Sequence, residues 1–182
     1  MTLPEYFKKM QGTTRGSPPR VSNTEIMWSW IGGFLGVAAV AWTDNYFFEG
    51  TDLALMIGSF GASAVLIYGA IRSPLAQPRN LVGGHIFSAI VGVTCWKFFN
   101  QYPWLAEAMA VASCIAIMHL TRTLHPPGGA TGLIAVIGSP AIHKMGYLYV
   151  LIPAVLGPII LLCVALIINN IPESRRYPEI WF

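Results

Sequence analysis

The stretch TLHPPGGATGL, from Thr123 to Leu133, decides the fold. It lies between two strongly apolar segments, yet its two prolines and three glycines disfavour a continuous helix. Irregular backbone at membrane depth is tolerated only where protein buries it or where it lines a water-filled cavity. The stretch therefore predicts a membrane segment whose break has a structural or functional reason.

The composition is that of a membrane protein. Hydrophobic residues make up 54% of the 182 residues and charged residues only 10%, whereas a soluble domain has roughly 25% charged residues. The net charge of +3 is small, and the basic residues lie between apolar segments, which excludes the clustered pattern of a nucleic-acid-binding protein. The three cysteines form no CxxC pair. We therefore expect no metal and no redox cofactor.

Six apolar segments are separated by polar residues. Most approach the ~20 residues that a spanning helix needs. The fifth would rise only ~15 Å as a helix, about half of the hydrocarbon core, and the second is interrupted by GSFGAS, residues 58–63. The six segments are 26–42, 53–71, 81–98, 104–121, 130–139 and 146–171.

The charges favour six crossings over four. With six crossings and a cytoplasmic N-terminus, only Lys97 and Lys144 of the eleven basic residues lie outside. If the second and fifth segments merely dip into the membrane, four lie outside, so the positive-inside rule favours six. The first outer loop is then acidic, with Asp44, Glu49 and Asp52. The cytoplasmic basic residues are Lys8, Lys9, Arg15, Arg20, Arg72, Arg79, Arg122, Arg175 and Arg176.

An internal repeat supports this topology. FGASAVLIYGAIRSP, residues 60–74, resembles GGATGLIAVIGSP, residues 128–140. We therefore predict an all-α membrane protein with six transmembrane segments, arranged as two inverted three-span repeats in which the second and fifth segments are broken. The predicted regions are a cytoplasmic N-terminal tail 1–25, a transmembrane domain 26–171 with repeats 26–98 and 104–171, and a cytoplasmic C-terminal tail 172–182.

The two breaks predict a binding site for a small anion. The first turn of a helix carries unpaired N–H groups and a partial positive charge, and inversion brings two such helix starts together near the midplane. No Asp, Glu, Lys or Arg lies deep in any segment, whereas a cation carrier or proton-driven carrier usually has buried carboxylates. The predicted substrate-binding residues are Ser59, Phe60, Gly61, Ala62, Ser63, His85, His125, Pro126, Pro127, Gly128, Gly129, Ala130 and Thr131.

Histidines and inner-loop residues extend this site. His125 enters the broken segment, and His85 follows two glycines, so either can donate to an anion or carry a proton. The alternative for both, and more so for His119, is a packing role between helices. We further predict an inner vestibule, whose basic residues have topology and lipid headgroup contact as their alternative role. Its residues are Arg72, Gln77, Arg79, Asn80 and Arg122.

Several motifs together resemble those of a known family. GSFGASAVLIYG with SPLAQPRNLVGGH, then LHPPGGATGLIAVIGS, and finally RRYPEIW are similar to the HPP family of integral membrane proteins. The resemblance runs from about residue 25 to the C-terminus. It implies nitrite or a similar anion as substrate, because plant chloroplast members are regarded as nitrite transporters. It also includes bacterial relatives, from which we expect a location in the bacterial inner membrane. The family is often described with four spans, whereas the charges here favour six.

We therefore expect a transporter or channel for a small monovalent anion, with nitrite favoured by the resemblance. A transporter of cations or other small solutes, a membrane-embedded enzyme and a non-transporting sensor are the alternatives. We expect no catalytic residues, because no carboxylate pair, metal-ligand cluster or activated nucleophile is evident. The expected partners are the lipid bilayer and, because the exterior is rich in glycine, further copies of this chain.

Overall fold

The computed structural model describes residues 1–11, 16, 19–51 and 53–182. Across these residues all regular structure is helical, which confirms the all-α prediction. Arg15 and Asp52, which the charge argument uses, lie outside the described residues. The helices are α1 Leu3–Lys9, α2 Asn23–Phe47, α3 Ser59–Ala64, α4 Pro78–Phe99, α5 Pro103–Leu120, α6 Pro126–Ile137, α7 Pro140–Met145, α8 Leu148–Leu151 and α9 Gly157–Ile168.

Four helical segments in the described part of the chain are long and apolar enough to cross a membrane. Three are α2, α4 and α5, and the fourth is Leu148–Ile168, in which a π-helical turn Ile152–Leu156 joins α8 to α9. Proline starts α4 and α5, where its missing N–H costs nothing. The first segment is longer than its apolar run, because Ser22 caps α2 before it and the helix continues through polar residues to Phe47.

The second and fifth apolar segments form only half-length helices. α3 continues through a π-helical turn, Val65–Gly69, so that this apolar helix covers Ser59–Gly69. With α6 it forms a pair, and each helix rises only about 17 Å. Both follow chain that is not helical, residues 53–57 and 123–125. The prolines and glycines that interrupt the sequence are thus the places where the helices begin.

Contacts gather four parts of the chain at one end of the bundle. Arg175 pairs with Glu25 at 2.7 Å, which joins the C-terminal segment to the start of α2. The Tyr177 hydroxyl donates to the Ala76 carbonyl at 2.7 Å, and Arg79 donates to the Thr121 carbonyl at 2.8 Å. We call this the arginine end, and it comprises residues 20–25, 70–80, 120–125 and 169–182.

The opposite end is held by contacts between α4 and the region after α6. The His143 ring stacks on the Trp96 ring with centroids 3.8 Å apart. The Tyr147 and Thr94 hydroxyls lie 3.0 Å apart, and the Lys97 ammonium lies 5.6 Å from the centre of the Tyr147 ring. These contacts place residues 138–147 beside the C-terminal end of α4, away from the arginine end.

The centre of the bundle depends on a close approach between α4 and α6. A Cβ atom on Gly128 would lie 2.6 Å from the Gly84 carbonyl oxygen, and one on Gly84 would lie 2.6 Å from the His125 Cβ. Glycine at both positions lets the backbones meet directly. This packing brings the HPP segment, residues 125–127, against the middle of the molecule.

Candidate functional site

A buried polar cluster lies where α3 meets α6. The Thr131 and Ser59 hydroxyl oxygens lie 2.8 Å apart, within hydrogen-bond distance. One turn along α3, the Ser63 hydroxyl lies 2.9 Å from His125 Nε2, at the start of α6. The two half-length helices therefore overlap at their first turns, each start beside the second turn of the other.

His85 from α4 joins the two helices. Its Nε2 lies 2.8 Å from the Ser63 hydroxyl and its Nδ1 lies 2.6 Å from the Thr131 hydroxyl. Ser63 and Thr131 are the matching residues of the Gly-Ala-Ser/Thr repeat, so one imidazole bridges the two repeat-related positions. Each of the five side chains is at most 1% exposed. We call this group the half-helix cluster, and it consists of Ser59, Ser63, His85, His125 and Thr131.

Further contacts fix the orientation of this cluster. His125 Nδ1 lies 2.8 Å from the Leu75 carbonyl oxygen, and the Tyr149 hydroxyl donates to the Thr131 carbonyl at 3.0 Å. The Phe60 ring meets the His85 ring edge-on, with centroids 5.4 Å apart. Sequence analysis missed Tyr149 and the Leu75 carbonyl. Its segment, residues 146–171, also contains Tyr147, so a tyrosine hydroxyl in an apolar segment did not by itself single out Tyr149.

The prediction that the two helix starts present unpaired N–H groups to a ligand needs correction, because hydrogen bonds within each start occupy them. Phe60 N–H donates to the Ile57 carbonyl at 3.0 Å and Gly61 N–H to the Gly58 carbonyl at 3.3 Å. At the start of α6 the two prolines carry no N–H, and Gly128 N–H donates to the His125 carbonyl at 2.8 Å. Tight i→i−3 bonds satisfy these donors within each helix start. The polar groups that the site presents are therefore hydroxyls and imidazoles.

The other predicted binding residues surround the cluster unequally. Gly61 and Ala62 are exposed on the outer side of α3, and Pro126 is exposed at the arginine end. Gly128 is buried against Gly84, whereas a Cβ on Gly129 would meet no atom within 4 Å. The remaining members keep to the interior, with Phe60, Pro127 and Gly129 buried and Ala130 half-buried.

Four of the five predicted vestibule residues line one cavity of about 240 Å³ at the arginine end. Arg79 and Asn80 hold the chain that leads into α6, because they donate to the carbonyls of Thr121 and Leu124 at 2.8 and 2.9 Å. C-terminal residues close one side of this cavity. Its lining is Pro74, Gln77, Arg79, Asn80, Arg122, Ile180, Trp181 and Phe182.

Arg72 lies outside this cavity, and Gln77 has a structural contact besides lining it. Arg72 lines a separate cavity beside Glu25 and Arg175, and it donates to the Ser174 carbonyl at 3.4 Å. Gln77 is 3% exposed and ties the inner loop to the C-terminal segment, since its Oε1 accepts from Glu179 N–H at 2.9 Å. Beside it, burial raises the pKa of the Tyr177 hydroxyl, which therefore stays a proton donor.

A second, smaller cavity of about 150 Å³ lies at the opposite end. It is lined by Ala135, one turn beyond Thr131 on α6, and by the basic residue Lys97. Neither cavity is lined by an Asp or Glu side chain. Within the described ranges, no group of three or more His, Cys, Asp or Glu side chains is placed to hold a metal ion. His119 is exposed on α5, outside the cluster.

Comparison with known proteins agrees with these motifs. A family model for the transmembrane region of HPP proteins matches residues 18–178. The chain belongs to the HPP family. It is an integral membrane protein that crosses the membrane several times, as four spanning helices and this membership both indicate.

Two relatives of this HPP protein come from Dictyostelium discoideum and are described only as transmembrane proteins. One is 42% identical over 98% of this chain and 58% of its own length. The other is 40% identical over the whole chain and 65% of its own length. The chain thus spans about three fifths of the length of the relatives that it matches. These relatives give no support to a bacterial inner membrane, and no solved structure matches the chain.

Proposed function

We propose that this HPP protein is a transporter for a small monovalent anion, which passes between α3 and α6. The observation that carries the proposal is the half-helix cluster, a buried polar group that lies between two cavities at opposite ends of the bundle. Buried polar groups inside a membrane bundle usually mark a solute or ion pathway. A protein that only anchors another molecule in the bilayer does not need a buried polar cluster.

The charges of the two cavities favour an anion. Arg79 and Arg122 line the cavity at the arginine end, and Lys97 lines the opposite one. A cleft lined by one sign of charge concentrates ions of the other sign. A cation pathway would need acidic residues or free carbonyls in the same places.

The topology that fits this pathway has six crossings in two inverted repeats. A half-length helix of about 17 Å leaves about 13 Å of the ~30 Å core to be covered. The five non-helical residues 53–57 can span this distance before α3, and the three residues 123–125 cover about 10 Å of it before α6. The contacts at the two ends support this arrangement, because residues 69–73 line one cavity with the start of α2 and residues 138–147 lie beside the end of α4. The positive-inside rule then makes the arginine end cytoplasmic, with both tails.

The observed state is closed. Since the five cluster side chains are at most 1% exposed, an anion can pass only when α3 and α6 separate. Separation exposes hydroxyl and imidazole donors, which replace part of the anion's hydration shell. Neutral donors bind weakly enough for the anion to leave, as conduction requires. The proposal assigns the chain no catalytic role.

Nitrite is the first anion to test, because the family resemblance implies it. Self-association remains a prediction, and the exposed small residues on the outer side of α3, Gly58, Gly61 and Ala62, are the surface through which helices could approach.

Uptake by proteoliposomes tests the proposal. Purified protein should give nitrite uptake well above that of protein-free vesicles, and nitrate should compete. Ser63→Ala removes a cluster hydroxyl and should lower uptake at least tenfold. Ser88→Ala is the matched control, because it deletes an equally buried hydroxyl that has no hydrogen-bond partner among the described residues. Uptake of rubidium without any anion dependence would refute the anion proposal in favour of a cation transporter.

A further inference from the structure

We propose that the half-helix cluster is a proton relay that moves one proton together with each anion. This inference rests on the proposed function, and it assigns a second transported species to the same site. It is carried by the order of the hydrogen bonds, in which each group of the cluster lies within 2.9 Å of the next. Chains of alternating imidazoles and hydroxyls can pass protons, because each group both accepts and donates.

One end of the chain has a fixed proton. His125 Nδ1 lies 2.8 Å from the Leu75 carbonyl oxygen, and a carbonyl oxygen can only accept. The Nδ1 position therefore carries a hydrogen in every protonation state that keeps this bond. Only Nε2 of His125 is free to gain or lose a proton, and its partner is the Ser63 hydroxyl.

With His125 neutral, the direction of every other bond follows. Nε2 of His125 accepts, so Ser63 donates to it. The Ser63 oxygen then accepts from Nε2–H of His85. Nδ1 of the neutral His85 is left without a hydrogen, so it accepts from the Thr131 hydroxyl. The tautomers of both histidines are thus determined by their partners.

One extra proton on His125 reverses the whole chain. The charged ring donates from Nε2 to the Ser63 oxygen, Ser63 donates to His85 Nε2, and His85 donates from Nδ1 to the Thr131 oxygen. The Thr131 proton then turns to the Ser59 oxygen, 2.8 Å away. With His125 neutral, the Ser59 hydroxyl donates back to the Thr131 oxygen. In both directions every cluster group from His125 to Thr131 keeps its hydrogen-bond partners without any change in the positions of the heavy atoms.

Proton transfer converts the second state into the first. The Nε2 proton of His125 moves to Ser63, the Ser63 proton to His85 Nε2, and the His85 Nδ1 proton to Thr131. The Thr131 proton moves to Ser59, and the former Ser59 proton leaves to nitrite or water. Each hydroxyl and imidazole between the ends gains one proton and loses one, so the net result is one proton moved from His125 to the acceptor beyond Ser59.

The surroundings suit such a relay. The His125 end lies beside Leu75, whose neighbour Pro74 lines the cavity at the arginine end. The Thr131 end lies one turn from Ala135, which lines the opposite cavity.

Two titratable side chains lie close to the cluster. Tyr149 from α8 donates to the Thr131 carbonyl, and the Cys114 thiol of α5 donates to the Ser88 carbonyl, one turn from His85. Within the described residues, no Asp, Glu, Lys or Arg hydrogen-bonds to a cluster side chain.

The test measures protons and nitrite in the same proteoliposomes. Vesicles contain a trapped fluorescent pH indicator and receive isotopically labelled nitrite, and protein-free vesicles correct for nitrous acid that crosses lipid unaided. The relay predicts about one proton per nitrite. A second arm places equal nitrite on both sides and imposes a pH gradient, which the protein should collapse at least tenfold faster than lipid alone.

Two variants at one position separate the relay from a packing role. Thr131→Val keeps the side-chain shape and removes the hydroxyl, so proton movement should fall at least tenfold. Thr131→Ser keeps the hydroxyl and should retain the wild-type proton-to-nitrite ratio. A purely structural role for Thr131 would leave that ratio unchanged in both variants. Ser88→Ala is the control for a general effect on α4, and Ser63→Ala replaces Thr131→Val if the latter does not fold.

Each result decides between the two proposals. Nitrite uptake without proton movement overturns the relay and leaves the anion transporter intact. Proton movement without nitrite uptake overturns the anion proposal and, with it, the coupling of one proton to each anion, and absence of both overturns both proposals. A wild-type proton-to-nitrite ratio in the valine variant also overturns the relay.

Discussion

Gly128 and Gly129, which directly follow the HPP segment, should respond oppositely to the same substitution. In Gly128→Ala, the added Cβ would lie 2.6 Å from the Gly84 carbonyl oxygen. The two backbones must move apart by about 0.4 Å merely to reach the 3.0 Å below which real contacts essentially never fall. Backbone cannot rotate away as a side chain can, so the overpacking should cost about 1–3 kcal/mol. In Gly129→Ala, the Cβ meets no described atom within 4 Å beyond its chain neighbours and the backbone of its own helix.

The comparison isolates the close approach of α4 and α6. Both variants gain about 1 kcal/mol of intrinsic helix propensity, so this contribution cancels and Gly129→Ala should be the more stable by about 1–3 kcal/mol. The free energy of unfolding can be measured by titrating the detergent-solubilised protein with sodium dodecyl sulfate and following helix content. Equal stabilities of the two variants, within about 0.5 kcal/mol, would refute the proposed packing.

Two further pairs of variants probe the cluster and the arginine end. Ser63→Ala leaves a nitrogen of each cluster histidine without its partner and should cost about 1–3 kcal/mol of unfolding free energy. Ser88→Ala should cost less than about 0.5 kcal/mol or be stabilising, and similar losses in both would contradict the assigned bonds. Arg175→Gln breaks the ion pair between a buried arginine and Glu25, whose side chain is 27% exposed, and should cost about 1–3 kcal/mol. Arg176→Gln, at an exposed position, should change stability by less than about 0.5 kcal/mol in the same unfolding titration, and an equal effect of the two arginines would argue against a structural role for Arg175.

The sequence predicts the helices and the places where they break. The third and fourth apolar segments agree with α4 and α5 to within three residues, because hydropathy marks their length and proline marks their starts. The GSFGAS and HPPGG stretches mark the two half-length helices. His85, Ser63 and Thr131 follow from the repeat and from the GGH motif, and the structure brings them together.

The orientation of the short helices could not be predicted. Only rotation about the helix axis decides that Ser59 and Ser63 of α3 face His85 while Gly61 and Ala62 face outward, and the sequence of one half-length helix does not encode that rotation. The N–H groups at the two helix starts are satisfied by i→i−3 hydrogen bonds, and these bonds have no sequence signature. The contact of Gln77 with the C-terminal segment could not be predicted, because Glu179 lies about a hundred positions further along the chain.

A reversible cross-link between α3 and α6 tests the central claim most directly. The hydroxyl oxygens of Ser59 and Thr131 lie 2.8 Å apart, so cysteines at both positions can form a disulfide of ~2 Å, and the reduced thiols keep a weak donor at each position. The native cysteines would first be replaced, namely Cys95, Cys114 and Cys163. Because the closed cluster must open for each anion, oxidation should stop nitrite uptake and reduction should restore it. Unchanged uptake in fully cross-linked protein would contradict the account.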